Sequence, residues 1–286
     1  MGKIAVMTDS VACLPQEIAE RYHIHIVPAG TILFEGNVYR DWLDIRPDDA
    51  FRMLESSPDD FFTSATSPAA FLEAYQKLSQ EADIIVYIAV SSKFTTLYNM
   101  ARSAKELAKE KLDGLKIETL DSRTATAAQG FIVLAAARAA EEGRSLAEVI
   151  AAAERVKDRV NLLYVFETVR YLHRTGRVPK IVANFGSKLN VKLIITVNNG
   201  SARVHGIARS KERGIKHLVE FARQKVGRRP VHMAVLHTGA LEEAESLKQR
   251  ISAEFNCVEV WLDQFSPIMA YGTGRGVVGI AFYAED

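Results

Sequence analysis

Two short segments rich in hydroxyl side chains are the strongest candidates for a binding site. The first is FFTSATSP, residues 61–68, and the second is SSKFTTLYN, residues 91–99. The second directly follows DIIVYIAV, residues 83–90, a continuous β-branched run that is typical of a buried strand. Where a strand turns into a helix, hydroxyls and the free N–H groups of the helix can together hold an anion. We therefore expect the two segments to bind a carboxylate or a phosphate.

Part of the first cluster has an explanation that needs no ligand. Ser67 followed by Pro68 is a common helix start, with serine as the N-cap and proline at the first helical position. Thr63 and Ser64 are not needed as caps, and a serine/threonine turn would account for them. However, a third such turn, TDSVACLP at residues 8–15, follows the first predicted strand. Because parallel sheets bind ligands at the carboxyl ends of their strands, we expect these turns to share one edge.

The residues near these hydroxyls limit the kind of ligand. Few charged side chains accompany them, which suits a singly charged or partly protonated head group. A triphosphate would need a GxxxxGK[ST] loop, and the sequence has none. Gly274, Gly276 and Gly279 have dinucleotide-fingerprint spacing, but a β-rich run follows where that motif needs a helix. The pattern therefore argues against both nucleotide sites.

Nucleophilic catalysis is an alternative from another functional class. A hydrolase or transferase acting on an acyl or phosphorylated substrate could pair a serine with a histidine; the candidates are Ser64, Ser92, His205 and His237. Cys13 follows the first predicted strand, where a helix N-terminus would lower its thiol pKa, whereas a buried cysteine would be inert. The sequence contains no GxSxG, HExxH or CxxC motif, and we predict no metal site.

The overall composition favours a globular protein without a strong electrostatic field. The formal net charge is +1 over 286 residues, so the total charge attracts neither nucleic acid nor an anionic membrane. No apolar run reaches the length of a membrane span, and the start does not resemble a secretion signal. Because only two cysteines are present, we expect no disulfide framework and a cytoplasmic location.

The elements that must position the hydroxyls alternate between strand and helix in the first half, which predicts a mostly parallel sheet covered by helices. In the second half, residues 191–209 predict a hairpin around an Asn-Asn-Gly turn. The helices and strands that follow favour an α+β unit with a mixed sheet. We therefore predict an α/β protein with two domains, residues 1–160 and 161–286.

One segment of the second half has an unusual charge pattern. Between residues 170 and 211 there are nine lysines and arginines and no aspartate or glutamate. This is either a solvated face balanced by acids elsewhere or a basic patch for phosphate or an acidic partner.

Several motifs, in their order along the chain, resemble the DegV family. These motifs are TDSVACLP, TSxxSP, SSxFTTLY, DSRTATAAQG, RTGRV, ARSKERG and GTGRGVVG, and together they extend over essentially the whole sequence. The resemblance implies two α/β domains with a fatty acid buried between or beside them. It also implies a carrier without a cofactor, which presents the acyl carboxylate to a separate ATP-using fatty-acid kinase and is not itself an autonomous enzyme.

Carried over by position, the resemblance implies that Thr63, Ser64 and Thr95 contact the carboxylate. Arg177 and Arg209 match positions associated with the kinase partner or the phosphate. Further ligand-binding candidates are Ser92, Gly272 and Thr273. Three positions depart from the family pattern, since Cys13 replaces an acid, Thr96 a glycine and Gly272 a histidine beside the head group.

A long-chain fatty acid is therefore the leading ligand hypothesis. Burying an acyl tail gains about 0.8 kcal/mol per methylene, so the tail supplies affinity and the polar end needs only satisfied hydrogen bonds. Apolar residues near the hydroxyl clusters are candidates for tail contacts, namely Phe61, Phe62, Phe94 and Leu97. Besides a hydrolase, a lipid sensor without a kinase partner remains an alternative.

Overall fold

A computed structural model describes residues 2–176 and 191–285. Within them the chain forms the strands β1 (Ile4–Asp9), β2 (His25–Val27), β3 (Gly30–Phe34), β4 (Asn37–Arg40), β5 (Phe62–Ala65), β6 (Ile84–Ala89), β7 (Lys116–Asp121), β8 (Asn161–Phe166), β9 (Lys192–Asn198), β10 (Ser201–Ala208), β11 (Val231–His237), β12 (Cys257–Gln264) and β13 (Val278–Ala284). The α-helices are α1 (Gln16–Arg21), α2 (Pro47–Ser56), α3 (Pro68–Leu78), α4 (Leu97–Lys109), α5 (Thr126–Glu141), α6 (Leu146–Lys157), α7 (Lys211–Val226), α8 (Leu241–Glu254) and α9 (Ala270–Thr273).

The first sheet is parallel, with the strand order β2-β1-β6-β7. Its strand β6 is buried along almost its whole length, as expected for a strand covered on both faces. Helices α3 and α4 pack on one face, where the rings of Phe71 and Tyr87 lie 5.1 Å apart. Helix α5 packs on the other face. The carboxyl ends of β1 and β6 therefore open at one edge of the sheet.

The second sheet has six strands in the order β10-β9-β8-β13-β11-β12 and mixes orientations. Strand β13 lies between β8 and β11 and is antiparallel to both, whereas β11 and β12 are parallel. Helices α7 and α8 cover one face. The other face packs toward α5, where the rings of Phe131 and Trp261 lie 4.2 Å apart. Because α5 lies between two sheets, it is apolar around most of its circumference.

A small third sheet is antiparallel, with the order β4-β3-β5. Its residues Ile32 and Phe34, with Phe61 just before β5, are buried in a cluster with apolar residues of α2 and with Ala270 and Tyr271 of α9. The third sheet is thereby held against α9, next to the carboxyl ends of the parallel strands.

This architecture confirms the predicted α/β class with one parallel and one mixed sheet. The strands of the parallel sheet all precede residue 160 and those of the six-stranded sheet all follow it. The two-domain division at that residue remains a prediction. No helix in the described ranges is long and apolar enough to cross a bilayer.

Two local predictions differ from the structure. The FFTSATSP segment is not a turn in its first half, because residues 62–65 form β5, with Phe62 opposite Leu33 of β3. The sequence ETVRYLHRTG, residues 167–176, predicts a short helix, but it forms only a single 3₁₀ turn at Leu172–Thr175. In contrast, Ser67 caps α3 as predicted, since its Oγ accepts a hydrogen bond from the Ala70 N–H at 3.3 Å.

Candidate ligand-binding cavity

A cavity of about 620 Å³ lies where the three sheets meet. Its walls come from β5, the turn after β6, the inner face of β8, β9 and β10, and the segment from residue 265 to the end of α9 at residue 273. The predicted ligand-binding residues all line it: Thr63, Ser64, Ser92, Thr95, Gly272 and Thr273. The structure therefore brings together side chains that are up to 210 positions apart in the sequence.

Three of the hydroxyls in this cavity are free to bind a ligand. Across the described ranges, the side chains of Thr63, Ser64 and Thr95 have no hydrogen-bond partner in the protein. Thr63 and Thr95 are half-buried, whereas Ser64 is exposed. A half-buried hydroxyl without a partner is a donor and acceptor that a bound polar group can satisfy.

Two other predicted ligand-binding hydroxyls on the cavity wall are already engaged within the protein. Ser92 Oγ donates to Asp121 Oδ2 at 2.5 Å, and Thr273 Oγ1 donates to the Met269 carbonyl at 2.9 Å. The protons of these two hydroxyls are therefore committed to internal acceptors. This separates Ser92 and Thr273 from the three free hydroxyls.

Helix α4 begins at the cavity with an uncapped N-terminus. Its N-cap residue Thr96 makes no side-chain cap, and the first-turn residues Leu97 and Asn99 line the cavity. The first N–H groups of a helix have no partner inside the helix, and the helix dipole favours negative charge there. The Thr95 hydroxyl and these N–H groups can together stabilise a carboxylate.

The rest of the cavity wall is mainly apolar. The inner face of the six-stranded sheet and the adjoining C-terminal segment supply Leu162, Tyr164, Phe166, Ile195, Val197, Ala202, Phe265 and Met269. The rings of Tyr164 and Phe265 lie 4.9 Å apart, and the Tyr164 hydroxyl is hydrogen-bonded to Thr126. Such a wall can bury an alkyl chain without leaving a polar atom unsatisfied.

The β9–β10 turn docks against the loop that carries Ser92 and Thr95. Ser91 Oγ donates to the Gly200 carbonyl and Lys93 Nζ donates to the Asn199 carbonyl, both at 2.8 Å. These bonds hold the hairpin, and with it Val197 and Ala202, in place as part of the cavity wall.

Asp9 supports the floor of the cavity and was not singled out from the sequence. It is fully buried and accepts hydrogen bonds from the N–H groups of Val11 and Val90, which both line the cavity, at 3.2 and 2.9 Å. The Tyr87 hydroxyl also donates to it, at 3.0 Å. Burial raises the pKa of Asp9 to about 6. The only sequence signal was its place in the TDS motif at the end of β1.

The structure does not assemble the nucleophilic sites considered above. Neither His205 nor His237 lines the cavity with the serines, and the Nδ1 of His237 accepts the Ala240 N–H at 3.2 Å. Cys13 is buried, and burial raises the pKa of its thiol instead of lowering it. In the two described ranges, no group of three or more metal-ligating side chains could hold an ion.

The remaining sequence candidates lie in varied places. Phe94 and Leu97 line the cavity, whereas Phe61 is buried in the core and Phe62 is 55% exposed. Arg209 is exposed just after β10. Arg177 lies outside the described residues.

The basic segment is partly neutralised by acids from elsewhere in the chain. Arg174 pairs with Asp59 at 2.7 Å and Lys211 pairs with Glu243 at 2.6 Å. Lys192 pairs with Glu167. In the described part of the segment, these pairs favour the interpretation of a balanced surface over that of one continuous patch.

Comparison with known proteins gives the family of the chain. The model of DegV, a family described as uncharacterised proteins, matches residues 3–285. A DegV domain-containing protein of Clostridium perfringens is 31% identical over 285 residues, with 99% of each chain covered. A fatty-acid-binding DegV family protein from Thermus thermophilus has a TM-score of 0.89 and 27% identity, covering 99% of this chain and 100% of its own. DegV of Bacillus subtilis, a fatty-acid-binding protein, has a TM-score of 0.89 and 25% identity, with 100% of both chains covered. The chain therefore belongs to the DegV family.

Proposed function

We propose that this protein binds a long-chain fatty acid in the cavity described above. The observation that carries the proposal is a single cavity that combines three free hydroxyls with an apolar wall. The Thermus thermophilus and Bacillus subtilis relatives are fatty-acid-binding proteins with the same fold, which supports this assignment.

In this proposal the carboxylate lies against Thr63, Ser64, Thr95 and the first turn of α4. Each hydroxyl can donate one hydrogen bond, and the N–H groups of the helix start can donate others. A carboxylate removed from water without such donors would pay a prohibitive desolvation cost. Hydrogen bonds to a charged group are each worth about 1.5–3 kcal/mol, so these donors hold and orient the head group.

The acyl tail lies along the inner face of the six-stranded sheet. A long tail gains on the order of 10 kcal/mol from burial, at about 0.8 kcal/mol per methylene, before the costs of binding. Tail burial therefore supplies most of the affinity, and hydrogen bonding fixes which end of the ligand reaches the hydroxyls.

We further propose that the bound carboxylate is presented to a separate ATP-dependent fatty-acid kinase in the cytoplasm. Arg177 and Arg209 are the proposed contacts for that partner or for the phosphate. The protein itself acts as a carrier and needs no cofactor. At the position of the family histidine, Gly272 contributes no side chain, and the Thr175 side chain occupies the space next to it. Fatty-acid binding depends less on a histidine at this position than kinase chemistry does.

The test of fatty-acid binding has two steps. Purified protein is denatured and extracted for mass spectrometry, and the delipidated protein is titrated with palmitate and oleate. We expect a co-purified acyl chain and tight uptake of at least one of the two acids. Failure of both measurements would refute the proposal.

The head-group assignment is tested by the double variant Thr63→Ala, Thr95→Ala. Loss of two charge-assisted hydrogen bonds should weaken palmitate binding by roughly a hundredfold or more. Thr31→Ala is the matched control, since Thr31 lies on β3 opposite Ser64 but does not line the cavity. Unchanged affinity in the double variant would remove both residues from the site.

The kinase role is tested separately with a purified fatty-acid kinase, ATP and the loaded protein. Formation of acyl phosphate supports it. Tight palmitate binding without any acyl phosphate would leave a carrier or sensor that has no kinase partner.

A further inference from the structure

Asp41 is a buried carboxylate that joins distant parts of the chain next to the cavity. It lies directly after β4 and is fully buried. Its Oδ1 accepts the Ile268 N–H at 2.9 Å, and its Oδ2 accepts the hydroxyls of Ser10 and Ser266. Three donors from two regions more than 200 positions apart in sequence therefore converge on one side chain.

The donors to Asp41 are placed immediately behind the cavity wall. Ile268 itself lines the cavity, and Ser10 precedes the lining residue Val11. The Ser10 Oγ in turn accepts the N–H of Ala29, another lining residue, at 2.8 Å. Asp41 does not line the cavity, yet its hydrogen bonds fix three of the segments that do.

The hydrogen bonds of this cluster, as the structure gives them, fit an ionised acid. A carboxylate can accept from all three donors, whereas an asparagine would offer one oxygen and place an NH₂ group against a hydroxyl or an N–H. No arginine or lysine of the described ranges pairs with Asp41, so its hydrogen bonds alone offset the cost of burial. A costly group of this kind is expected where a fixed geometry is needed.

We propose that Asp41 is a positioning residue for ligand binding, which holds Val11, Ala29 and the turn beginning at Ile268 in the arrangement that accepts the acyl chain. The turn continues into α9 and carries Gly272 and Thr273 on the cavity wall. This role rests on the proposed fatty-acid binding, but the hydrogen bonds that define it are present without a ligand.

The proposal has a pH signature. Burial raises the pKa of Asp41. Protonation would turn one accepting oxygen into a donor, so a hydrogen bond from Ser10, Ser266 or Ile268 would be lost or would have to reverse at a hydroxyl, and affinity should fall as the pH falls. Other titratable groups nearby are Asp9, Asp263 and Cys13, whose pKa values are also raised by burial. These groups and the ligand carboxylate titrate in wild type and variant alike, so the difference between the two proteins reports Asp41.

The experiment compares wild type, Asp41→Asn and the control Asp113→Asn, which changes an exposed acid far from the cavity. Palmitate affinity is measured between pH 5 and 8, and backbone hydrogen exchange is followed in the ligand-free proteins. We expect Asp41→Asn to bind palmitate roughly tenfold more weakly at pH 8. Its affinity should depend less on pH than that of wild type, and exchange should accelerate in the peptide covering residues 266–273 but not in β11.

The proposal is overturned if Asp41→Asn keeps the affinity and pH profile of wild type. If that variant does not fold, Ser266→Ala removes one donor while keeping the acid, and it should bind several-fold more weakly with faster exchange at 266–273. Unchanged values for Ser266→Ala would equally overturn the proposal. If wild type itself fails to bind palmitate, the proposed function fails, while the exchange data still decide whether Asp41 holds the turn.

Discussion

Ser92 and Thr95 stand three residues apart in one hydroxyl cluster, yet only Thr95 keeps its hydroxyl free. Ser92 donates to Asp121, and Thr273 in the same cavity donates to a backbone carbonyl. The hydroxyl clusters of the sequence identified Ser92 and Thr95 as candidates, and Thr273 was added with the family resemblance. The sequence could not tell the free hydroxyl from the engaged ones, because the acceptors of Ser92 and Thr273 are brought close only in the folded chain.

Gly272 gives a test at the scale of a single residue. A methyl group added to Gly272 would overlap the Thr175 Cγ2, and the Thr175 Oγ1 is held by the Leu172 carbonyl at 2.9 Å. We expect Gly272→Ala to lower the free energy of unfolding by about 1–3 kcal/mol through overpacking. Urea denaturation of the purified variant measures this change.

The matched second variant is Gly272→Ala combined with Thr175→Ser, which deletes the clashing methyl and keeps the hydroxyl. Most of the lost stability should return in this double variant. Equal destabilisation in the single and double variants would show that the space beside Gly272 is not limited by Thr175.

At the scale of elements, the sequence predicted secondary structure best where the signal is local, as in a continuous apolar run or a helix cap. The continuous apolar run at residues 83–90 predicted β6, and the pair Ser67-Pro68 predicted the start of α3. Strand β5 was missed because its polar residues resemble a turn, and its pairing with β3 is a long-range contact. Asp41 was missed for the same reason, since its partners Ser266 and Ile268 lie near the other end of the sequence.

The docking of the β9–β10 hairpin can be tested through its turn. Gly200 has a φ of +80°, and a Cβ there would lie 2.6 Å from the Ser91 Oγ. We expect Gly200→Ala to lose stability both from the left-handed backbone and from displacement of Ser91. The free energy of unfolding, measured by urea denaturation, should fall by about 2 kcal/mol.

Gly36 supplies the control, because it has a φ of +78° but no atom within 4 Å of an added Cβ. Gly36→Ala should therefore lower the free energy of unfolding only by the cost of the left-handed backbone, about 1 kcal/mol. Identical losses in the two variants would mean that the turn does not pack against Ser91 tightly enough to help close the cavity.

At the scale of the whole molecule, helix α5 makes the core continuous across the predicted boundary at residue 160. One apolar cluster contains Phe131 of α5, Val86 of the parallel sheet, and Tyr164 and Ala281 of the six-stranded sheet. The cavity lies beside this cluster and takes residues from the third sheet, from the six-stranded sheet and from the turns that follow β1 and β6 of the parallel sheet. The two halves of the sequence could be assigned to different sheets from pattern alone, but their common core depends on contacts between distant elements.

The buried acids predict how the stability of the whole fold depends on pH. Burial raises the pKa of Asp263 to about 6 from the ordinary value of 3.8, and a hydrogen bond from the Gln264 N–H at 2.7 Å offsets this rise only in part. At a pH between 3.8 and about 6, Asp263 carries a proton more often in the folded protein than in the unfolded chain. The contribution of Asp263 to the free energy of unfolding therefore falls as the pH rises through this window.

Asp263→Asn should remove that contribution, because the amide stays neutral at every pH. We expect the variant to gain up to roughly 3 kcal/mol over wild type at pH 7.5 and almost nothing near pH 4. Urea denaturation at both pH values measures the difference, and Asp113→Asn, at an exposed position, serves as the control. A difference between Asp263→Asn and wild type that does not change with pH would contradict the assignment of a raised pKa. It would mean that solvent reaches Asp263 and that the sheet edge beside the cavity is more open than its packing indicates.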